Sequence, residues 1–182
     1  YIATIATEET DALARMATAS ILRNLPTAYA EGSNPEARER MAAASCRAGL
    51  AFTRAGVGYV HAVAHQLGGL YHVPHGLANA IVMPQILDFS KSHCAHRLAD
   101  LARVSGIGNA GASETELADA FIAQIRKMNA DMQIPQVVKE LQRSDFDKII
   151  DRAFAEAHGT YGVPRYMTRA DATALLERLM PK

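Results

Sequence analysis

Apolar residues recur at intervals of three and four along almost the whole chain, and this helical period most limits the fold that the chain can adopt. Alanine, which has the highest helix propensity, is abundant, whereas the period-two alternation of a half-buried strand is nearly absent. Proline and glycine fall between the periodic segments, where helices usually end. The sequence therefore predicts an all-α, multi-helix fold, and its 182 residues suffice for a single domain over residues 1–182 with a buried core.

Capping signals predict where the helices begin and end. Asn34 followed by Pro35 is typical of an N-cap and a first helical residue, and Ser113 with Glu116 forms the pattern of a capping box. Pro26 is expected to close the first helix, and Thr168 with Asp171 is expected to open the last one. The predicted helices are Thr10 to Asn24, Pro35 to Arg54, Tyr59 to Tyr71, Leu77 to Ser90, a stretch after His93 to Val104, Glu114 to Ala130, Pro135–Leu141, Ser144–His158 and Arg169 to Met180.

Charge and cysteine content exclude several classes of function. The 19 basic residues balance the 19 acidic ones, so the chain has no electrostatic footprint for nucleic acid or a membrane surface. No apolar run approaches the roughly 20 residues of a membrane span. The two cysteines, Cys46 and Cys94, have no CxxC spacing and cannot form a disulfide framework. These features favour a cytoplasmic protein.

Residues 61–76, HAVAHQLGGLYHVPHG, hold four of the seven histidines of the chain. His61 and His65 are four residues apart, so on a helix they share one face and could meet one ion. His75 follows Pro74, which could turn the chain back towards the start of that helix, with Gly68 and Gly69 allowing close packing. His72, in the same turn, is expected at the surface. His93, His96 and His158 have no partner at ligand spacing.

The residue types limit which metal such a site could bind. Three imidazoles alone suit Zn²⁺, Cu²⁺ or Ni²⁺, and an added carboxylate would make Fe²⁺ or Zn²⁺ plausible. No carboxylate occurs between Phe52 and Gln85. A further ligand would have to come from elsewhere.

The block AFTRAGVGYVHAVAHQLGGLYHVPHGLANAIVMPQILDFS, residues 51–90, resembles the iron-containing (group III) alcohol dehydrogenases. That family has the pattern A-F-x-x-x-x-x-G-x-V-H-x-x-A-H-x-x-G-x-x-x-x-x-P-H-G-x-x-N-A-x-x-x-P. The sequence meets it at Phe52, Gly58, Val60, His61, Ala64, His65, Gly68, Pro74, His75, Gly76, Asn79, Ala80 and Pro84. Weaker similarity covers the rest of the chain, including Val163-Pro164-Arg165, where the family usually has N-P-R. The whole chain resembles the helical, dehydroquinate synthase-like C-terminal domain of the family.

The resemblance implies separate roles for the histidines. His61 and His75 match two metal ligands, whereas spacing alone had paired His61 with His65. His65 matches a histidine that is not a ligand, lies between metal and nicotinamide, and is implied to relay a proton. Phe52 matches a residue that lines the substrate pocket.

The resemblance also implies an Asp and a His ligand in a D-A-L-x-H motif. The stretch Asp11 to Arg15, DALAR, looks like this motif, but too few residues separate Asp11 from His61. Tyr1 instead matches a tyrosine that follows the motif, so we expect both ligands to precede residue 1 and Asp11 to be an ordinary helix-start acid. The NAD(P)-binding N-terminal domain is likewise expected outside this chain.

The resemblance implies hydride transfer between a small alcohol or aldehyde and NAD(P), with Fe²⁺ (or Zn²⁺) as a Lewis acid, in a homo-oligomer. We expect the 182-residue chain by itself to have little or no dehydrogenase activity. Two alternatives remain open: a helical binding or assembly module without catalysis, and a relative with other chemistry, such as a zinc-dependent glycerol dehydrogenase-like or a maleylacetate reductase-like enzyme. The PHGLANA stretch at residues 74–80 favours the alcohol dehydrogenases.

Overall fold

The computed structural model describes residues 1–109 and 111–181, and the described chain forms two compact units. Unit 1 comprises Tyr1–Gly56 and Cys94–Gln124, and unit 2 comprises Val57–His93 and Ile125–Lys182, of which Lys182 itself is not described. The predicted all-α fold is confirmed, because the described residues form helices and no strand. The helices are α1 (Glu8–Ala30), α2 (Pro35–Ala55), α3 (Tyr59–Tyr71), α4 (His75–Val104), α5 (Glu114–Asp131), α6 (Phe146–Ala157) and α7 (Arg169–Leu179), with a 3₁₀ turn at Arg143–Asp145. The expectation of one domain over residues 1–182 stays a prediction.

In unit 1, α1 and α2 pack against each other. The predicted start of α2 is confirmed, because the Asn34 side chain accepts a hydrogen bond of 3.0 Å from the Ala37 backbone N–H. The prediction that Pro26 closes α1 is wrong: Pro26 lies inside a helix that continues to Ala30. A proline removes one backbone donor from a helix interior, which costs about 3 kcal/mol. We attribute the continuation of α1 to its packing against α2, which the local sequence signal does not include.

Some of the other helix boundaries predicted from the sequence are confirmed, and others are wrong. The predicted helix Tyr59 to Tyr71 coincides with α3, and Thr168 caps α7 with Asp171 at its third position. The helix predicted over Pro135–Leu141 is wrong: these residues form turns, and the Val138 N–H donates to the Leu179 carbonyl oxygen at 2.8 Å. The two helical stretches predicted on either side of His93 form α4, which is interrupted by non-helical backbone at Cys94. The glycine-rich segment 105–113 is a loop where it is described, but Ala110 lies outside the described residues.

The core of unit 2 fixes the position of α3. Apolar side chains of α3, α6 and α7 are buried together, and α3 packs against α6. The largest of the fully buried side chains in this core are Tyr59, Leu67, Ile149, Ile150, Leu176, Leu179 and Val82. None of the helices in the described part of the chain has the length and apolar character that a membrane span requires.

We predict that Leu176→Ala lowers the free energy of unfolding by about 2–5 kcal/mol, because Leu176 is 1% exposed and its removal leaves a cavity in this core. Arg178→Ala, on the exposed side of the same helix, serves as the control and should change stability by no more than about 0.5 kcal/mol. Urea denaturation of both variants measures the difference. Equal effects of the two substitutions would contradict the core described above.

Candidate metal and catalytic site

Helix α3 presents two different faces within unit 2. Ala62, Val63 and Leu67 are buried in the core. His61, at the N-terminal side of the same helix, is half-buried, and His65 one turn later is exposed. Because burial of the apolar face fixes the rotation of the helix, the two histidines are held on the side of α3 that is not in the core.

A tight turn after α3 brings the third histidine back. The helix is capped by His72, whose backbone adopts the left-handed conformation with φ 56° and ψ 27°, and the His72 N–H donates to the Gly68 carbonyl oxygen at 3.0 Å. This left-handed cap is a common way to end a helix, although glycine usually occupies it. Two residues later Pro74 precedes His75, the first residue of α4.

The glycines before the turn differ in their surroundings. A Cβ on Gly68 would lie 3.4 Å from the Val73 carbonyl oxygen, so the absence of a side chain helps the turn to pack against α3. A Cβ on Gly69 would meet nothing within 4 Å. The close packing expected from sequence therefore applies to Gly68 and not to Gly69.

The turn places three imidazoles side by side. The ring centroids of His61 and His75 are 5.3 Å apart, those of His65 and His75 are 5.3 Å apart, and those of His61 and His65 are 5.8 Å apart. The sequence prediction that His75 folds back towards the His61 helix agrees with this geometry. Residues 14 positions apart in the chain thus form one cluster.

The rings are not arranged as a complete three-histidine metal site. His65 and His75 are stacked with an interplanar angle of 21°. The lone pair of an imidazole nitrogen lies in the ring plane, so stacked rings do not direct their nitrogens at a shared point. Within residues 1–109 and 111–181, no group of three or more His, Cys, Asp or Glu side chains could hold a metal ion.

The surroundings of His61 disfavour its charged form. Burial lowers the pKa of His61 below its usual value, and the nearby His75 and His65 lower it further. A lowered pKa favours the neutral imidazole, which is the form that binds a metal ion. The environment of His61 therefore favours a role as a metal ligand over a role as a charged surface residue.

Asn79 lies one helical turn after His75 and contacts it. The Asn79 Nδ2 atom lies 2.9 Å from the His75 Nε2 atom. The Asn79 Oδ1 atom is buried and has no hydrogen-bond partner among the described residues. An unmatched buried acceptor is uncommon in proteins and often marks the place of a missing water or ion.

One group at this site was missed by the sequence interpretation. Glu156, near the end of α6, has its Oε1 atom 2.7 Å from the Nδ1 atom of His65. The Tyr161 hydroxyl donates to the same oxygen at 2.7 Å, and Gln66 Nε2 lies 3.5 Å from Oε2. His65 and Glu156 are 91 positions apart, so no local sequence signal indicates this contact.

The other residues singled out in the sequence have their own surroundings. Phe52 lies on α2 in unit 1 and is 49% exposed, so its role in binding substrate stays a prediction. Asp11 forms an ion pair with Arg97 in unit 1, as expected of a structural acid. His158 lies 2.7 Å through Nε2 from the Tyr59 hydroxyl and stacks on Phe154, a role that spacing alone does not reveal.

Comparison with known sequences identifies close relatives of the chain. The profile of the Fe-containing alcohol dehydrogenase family, C-terminal, matches residues 1–180. The 1,3-propanediol dehydrogenase of Klebsiella pneumoniae is 39% identical over 180 residues, which are 98% of this chain and 46% of that enzyme. The NADPH-dependent butanol dehydrogenase of Clostridium saccharobutylicum is 37% identical over 183 residues, 97% of this chain and 46% of that enzyme.

Solved structures give the same result. A crystal structure of 1,3-propanediol oxidoreductase superposes with a TM-score of 0.93 at 38% identity, over 98% of this chain and 47% of that one. The alcohol dehydrogenase from Oenococcus oeni superposes with a TM-score of 0.92 at 32% identity, again over 98% of this chain and 47% of that one. The chain thus spans about half the length of the relatives that it matches.

We predict that the left-handed cap tolerates His72→Gly but not His72→Val. The left-handed conformation costs a residue with a side chain about 1–2 kcal/mol. Glycine removes that cost and adds about 0.5–1 kcal/mol of chain entropy, so the Gly variant should be as stable as the parent or slightly more stable. A β-branched valine should destabilise the protein by at least about 1 kcal/mol. Thermal unfolding of the two variants checks this, and a Val variant as stable as the Gly variant would contradict it.

Proposed function

The chain belongs to the iron-containing alcohol dehydrogenase family, and we propose from this premise that it forms the metal- and alcohol-binding half of an NAD(P)-dependent alcohol dehydrogenase. The observation that supports this most strongly is the cluster of His61, His65 and His75, which a helix and a tight turn bring within 5.8 Å of one another. The family match covers residues 1–180 and includes all three histidines.

We infer that His61 and His75 hold Fe²⁺. Their residue type fits a divalent transition metal, and the lowered pKa of His61 favours its neutral form. The partnerless Asn79 Oδ1 beside His75 also fits a site whose occupant completes its contacts. These two imidazoles would supply only some of the ligands of a complete metal site. Bound there, iron would supply Lewis acidity towards the alcohol oxygen, with NAD(P) as the hydride acceptor.

His65 is proposed to accept and pass on the proton of the alcohol. It is exposed, lies beside both proposed ligands, and has a carboxylate on its Nδ1 atom. An imidazole exchanges protons readily near neutral pH, and a carboxylate partner is a common companion of a histidine with this role.

Phe52 is proposed to contact the carbon chain of the substrate. A phenylalanine that is 49% exposed leaves apolar surface available for an alkyl group. We propose small alcohols and the corresponding aldehydes as substrates, since the relatives are named for 1,3-propanediol, butanol and methanol. Those relatives include both an NADPH-dependent and an NAD-dependent enzyme, so either nicotinamide fits this proposal.

Two further properties complete the proposal. Cys46 and Cys94 are both free thiols, one exposed and one buried, which suits the reducing cytoplasm.

The helices α1 and α2 carry large apolar side chains that are about half exposed, namely Met16, Tyr29, Leu50 and Phe52. Exposed apolar surface of this kind favours association, and we propose a homo-oligomer.

We predict that His61→Ala and His75→Ala each lower the iron affinity of the full-length protein by at least about tenfold, because each removes a proposed ligand. Removing a residue that only hydrogen-bonds to a metal ligand already lowers metal affinity by about tenfold or more. His65→Ala should retain the iron and lose turnover. Elemental analysis of the purified variants, together with assay of a small primary alcohol, measures both effects. The metal recovered from the parent protein also distinguishes iron from zinc.

His96→Ala is the control for these variants, because His96 is exposed and lies outside the histidine cluster. It should keep both metal and activity. Loss of iron from His65→Ala with retention in His75→Ala would reverse the proposed roles. Absence of alcohol oxidation by the iron-loaded full-length protein with either nicotinamide, over a range of small alcohols, would refute the dehydrogenase proposal.

A further inference from the structure

The structure places a carboxylate and a phenol behind the histidine that is proposed to move the proton. Glu156 Oε1 lies 2.7 Å from His65 Nδ1 and 2.7 Å from the Tyr161 hydroxyl oxygen. The side chain of Glu156 is 26% exposed, whereas that of His65 is 42% exposed. The carboxylate is therefore less exposed to solvent than the imidazole that it contacts.

Two elements of the fold hold this carboxylate in position. Helix α6 packs against α3 through Ile149, Ile150 and Ala153, and Glu156 lies one turn beyond Ala153. After α6 the chain turns back at Gly159, whose φ of 79° is a conformation that residues with side chains rarely adopt. The Tyr161 N–H donates to the Ala157 carbonyl oxygen at 3.0 Å, which closes the turn and returns the phenol to Glu156.

The hydrogen bonds that Glu156 can make determine the tautomer of His65. A carboxylate oxygen only accepts hydrogen bonds, and the Tyr161 hydroxyl already donates to Oε1. Nδ1 of His65 must then carry a proton in order to bond to the same oxygen. In neutral His65 the other nitrogen, Nε2, consequently holds the lone pair.

The environment of Tyr161 keeps it a donor. Burial, together with its hydrogen bond to Glu156 and the negative charge of that residue, raises the pKa of Tyr161 to about 12. The phenol therefore stays protonated throughout the neutral range and continues to donate to the carboxylate. Gln66 Nε2, 3.5 Å from Oε2, lies near the second oxygen.

We propose that Glu156, supported by Tyr161, is a positioning residue that holds His65 in the Nδ1–H tautomer and in a single orientation. Nε2 then remains the nitrogen that is free to meet the reacting proton. The catalytic consequence of this inference rests on the dehydrogenase function proposed above. The tautomer and the orientation of His65 are structural properties that can be measured whether or not the protein is an active dehydrogenase.

The test measures the tautomer directly by long-range ¹H–¹⁵N correlation spectra of the imidazole nitrogens in full-length, metal-free protein. The spectra are recorded about two pH units above the ordinary histidine pKa of ~6.5, where imidazoles are neutral, and the His65 signals are assigned by their loss in His65→Gln. We expect the Nδ1–H pattern in the parent protein, in contrast to the Nε2–H form that exposed imidazoles favour. Finding Nε2–H in the parent would overturn the inference without any variant.

The variants separate positioning from general stability. Glu156→Gln keeps the shape but can donate as well as accept, so Nε2–H should appear; Glu156→Asp keeps the charge and should restore part of the Nδ1–H population. Tyr161→Phe should broaden the His65 signals through added motion. Asp151→Asn is the matched control, since Asp151 lies on the same helix and pairs with Arg169, away from the histidines. A parent-like spectrum in Glu156→Gln would overturn the proposal.

A second readout uses the iron-loaded, full-length enzyme. Glu156→Gln should lower kcat by about tenfold or more with little change in KM or iron content, because positioning of a proton-transfer group acts on turnover. Loss of iron from Glu156→Gln would instead identify Glu156 as a metal ligand and overturn the proposal. If the parent lacks alcohol dehydrogenase activity but shows the Nδ1–H tautomer that depends on Glu156, the proposed function fails and the structural part of this inference stands.

Discussion

The packing of α3 against α6 is the interaction on which the candidate site depends. The same contact that buries Ala62, Val63 and Leu67 directs His61 and His65 away from the core, and it also brings the end of α6 to His65. Burial of apolar area is not directional, but the helical period converts it into a defined rotation of each helix. One hydrophobic interface therefore sets the positions of both an imidazole and its carboxylate partner.

The histidine cluster also requires a sharp reversal of the chain, and that reversal is made by residues outside the cluster. His72 in its left-handed conformation, the small Gly68 beside the Val73 carbonyl, and Pro74 before α4 together place His75 near α3. The cost of the left-handed residue is about 1–2 kcal/mol, which is small beside the burial of the helices on either side. Site geometry is thus set by core packing at one end and by turn conformation at the other.

Local signals in the sequence were sufficient for much of the fold and failed where tertiary contacts decide. The bounds of α3 and the caps at Asn34 and Thr168 could be predicted because both depend on neighbouring residues. The continuation of α1 past Pro26 could not be predicted, because it depends on helix packing. The conformation of residues 135–141 could not be predicted either, because it depends on a hydrogen bond to Leu179. In the site, the histidine spacing and the family resemblance led to His61, His65 and His75, whereas Glu156 is 91 residues from its partner and became visible only in three dimensions.

Tyr59 connects three separate parts of unit 2 through its hydroxyl group. Its hydroxyl oxygen accepts a hydrogen bond of 2.9 Å from the Met167 N–H and lies 2.7 Å from His158 Nε2, and the ring is only 2% exposed. The start of α3, the end of α6 and the approach to α7 therefore cannot loosen independently of one another. In terms of hydrogen exchange, the Met167 amide reports opening of all three segments as one cooperative unit, so it should exchange among the slowest amides of the chain. The histidine cluster lies in the same unit as these hydrogen bonds, and its His65 and His75 side chains remain exposed to solvent.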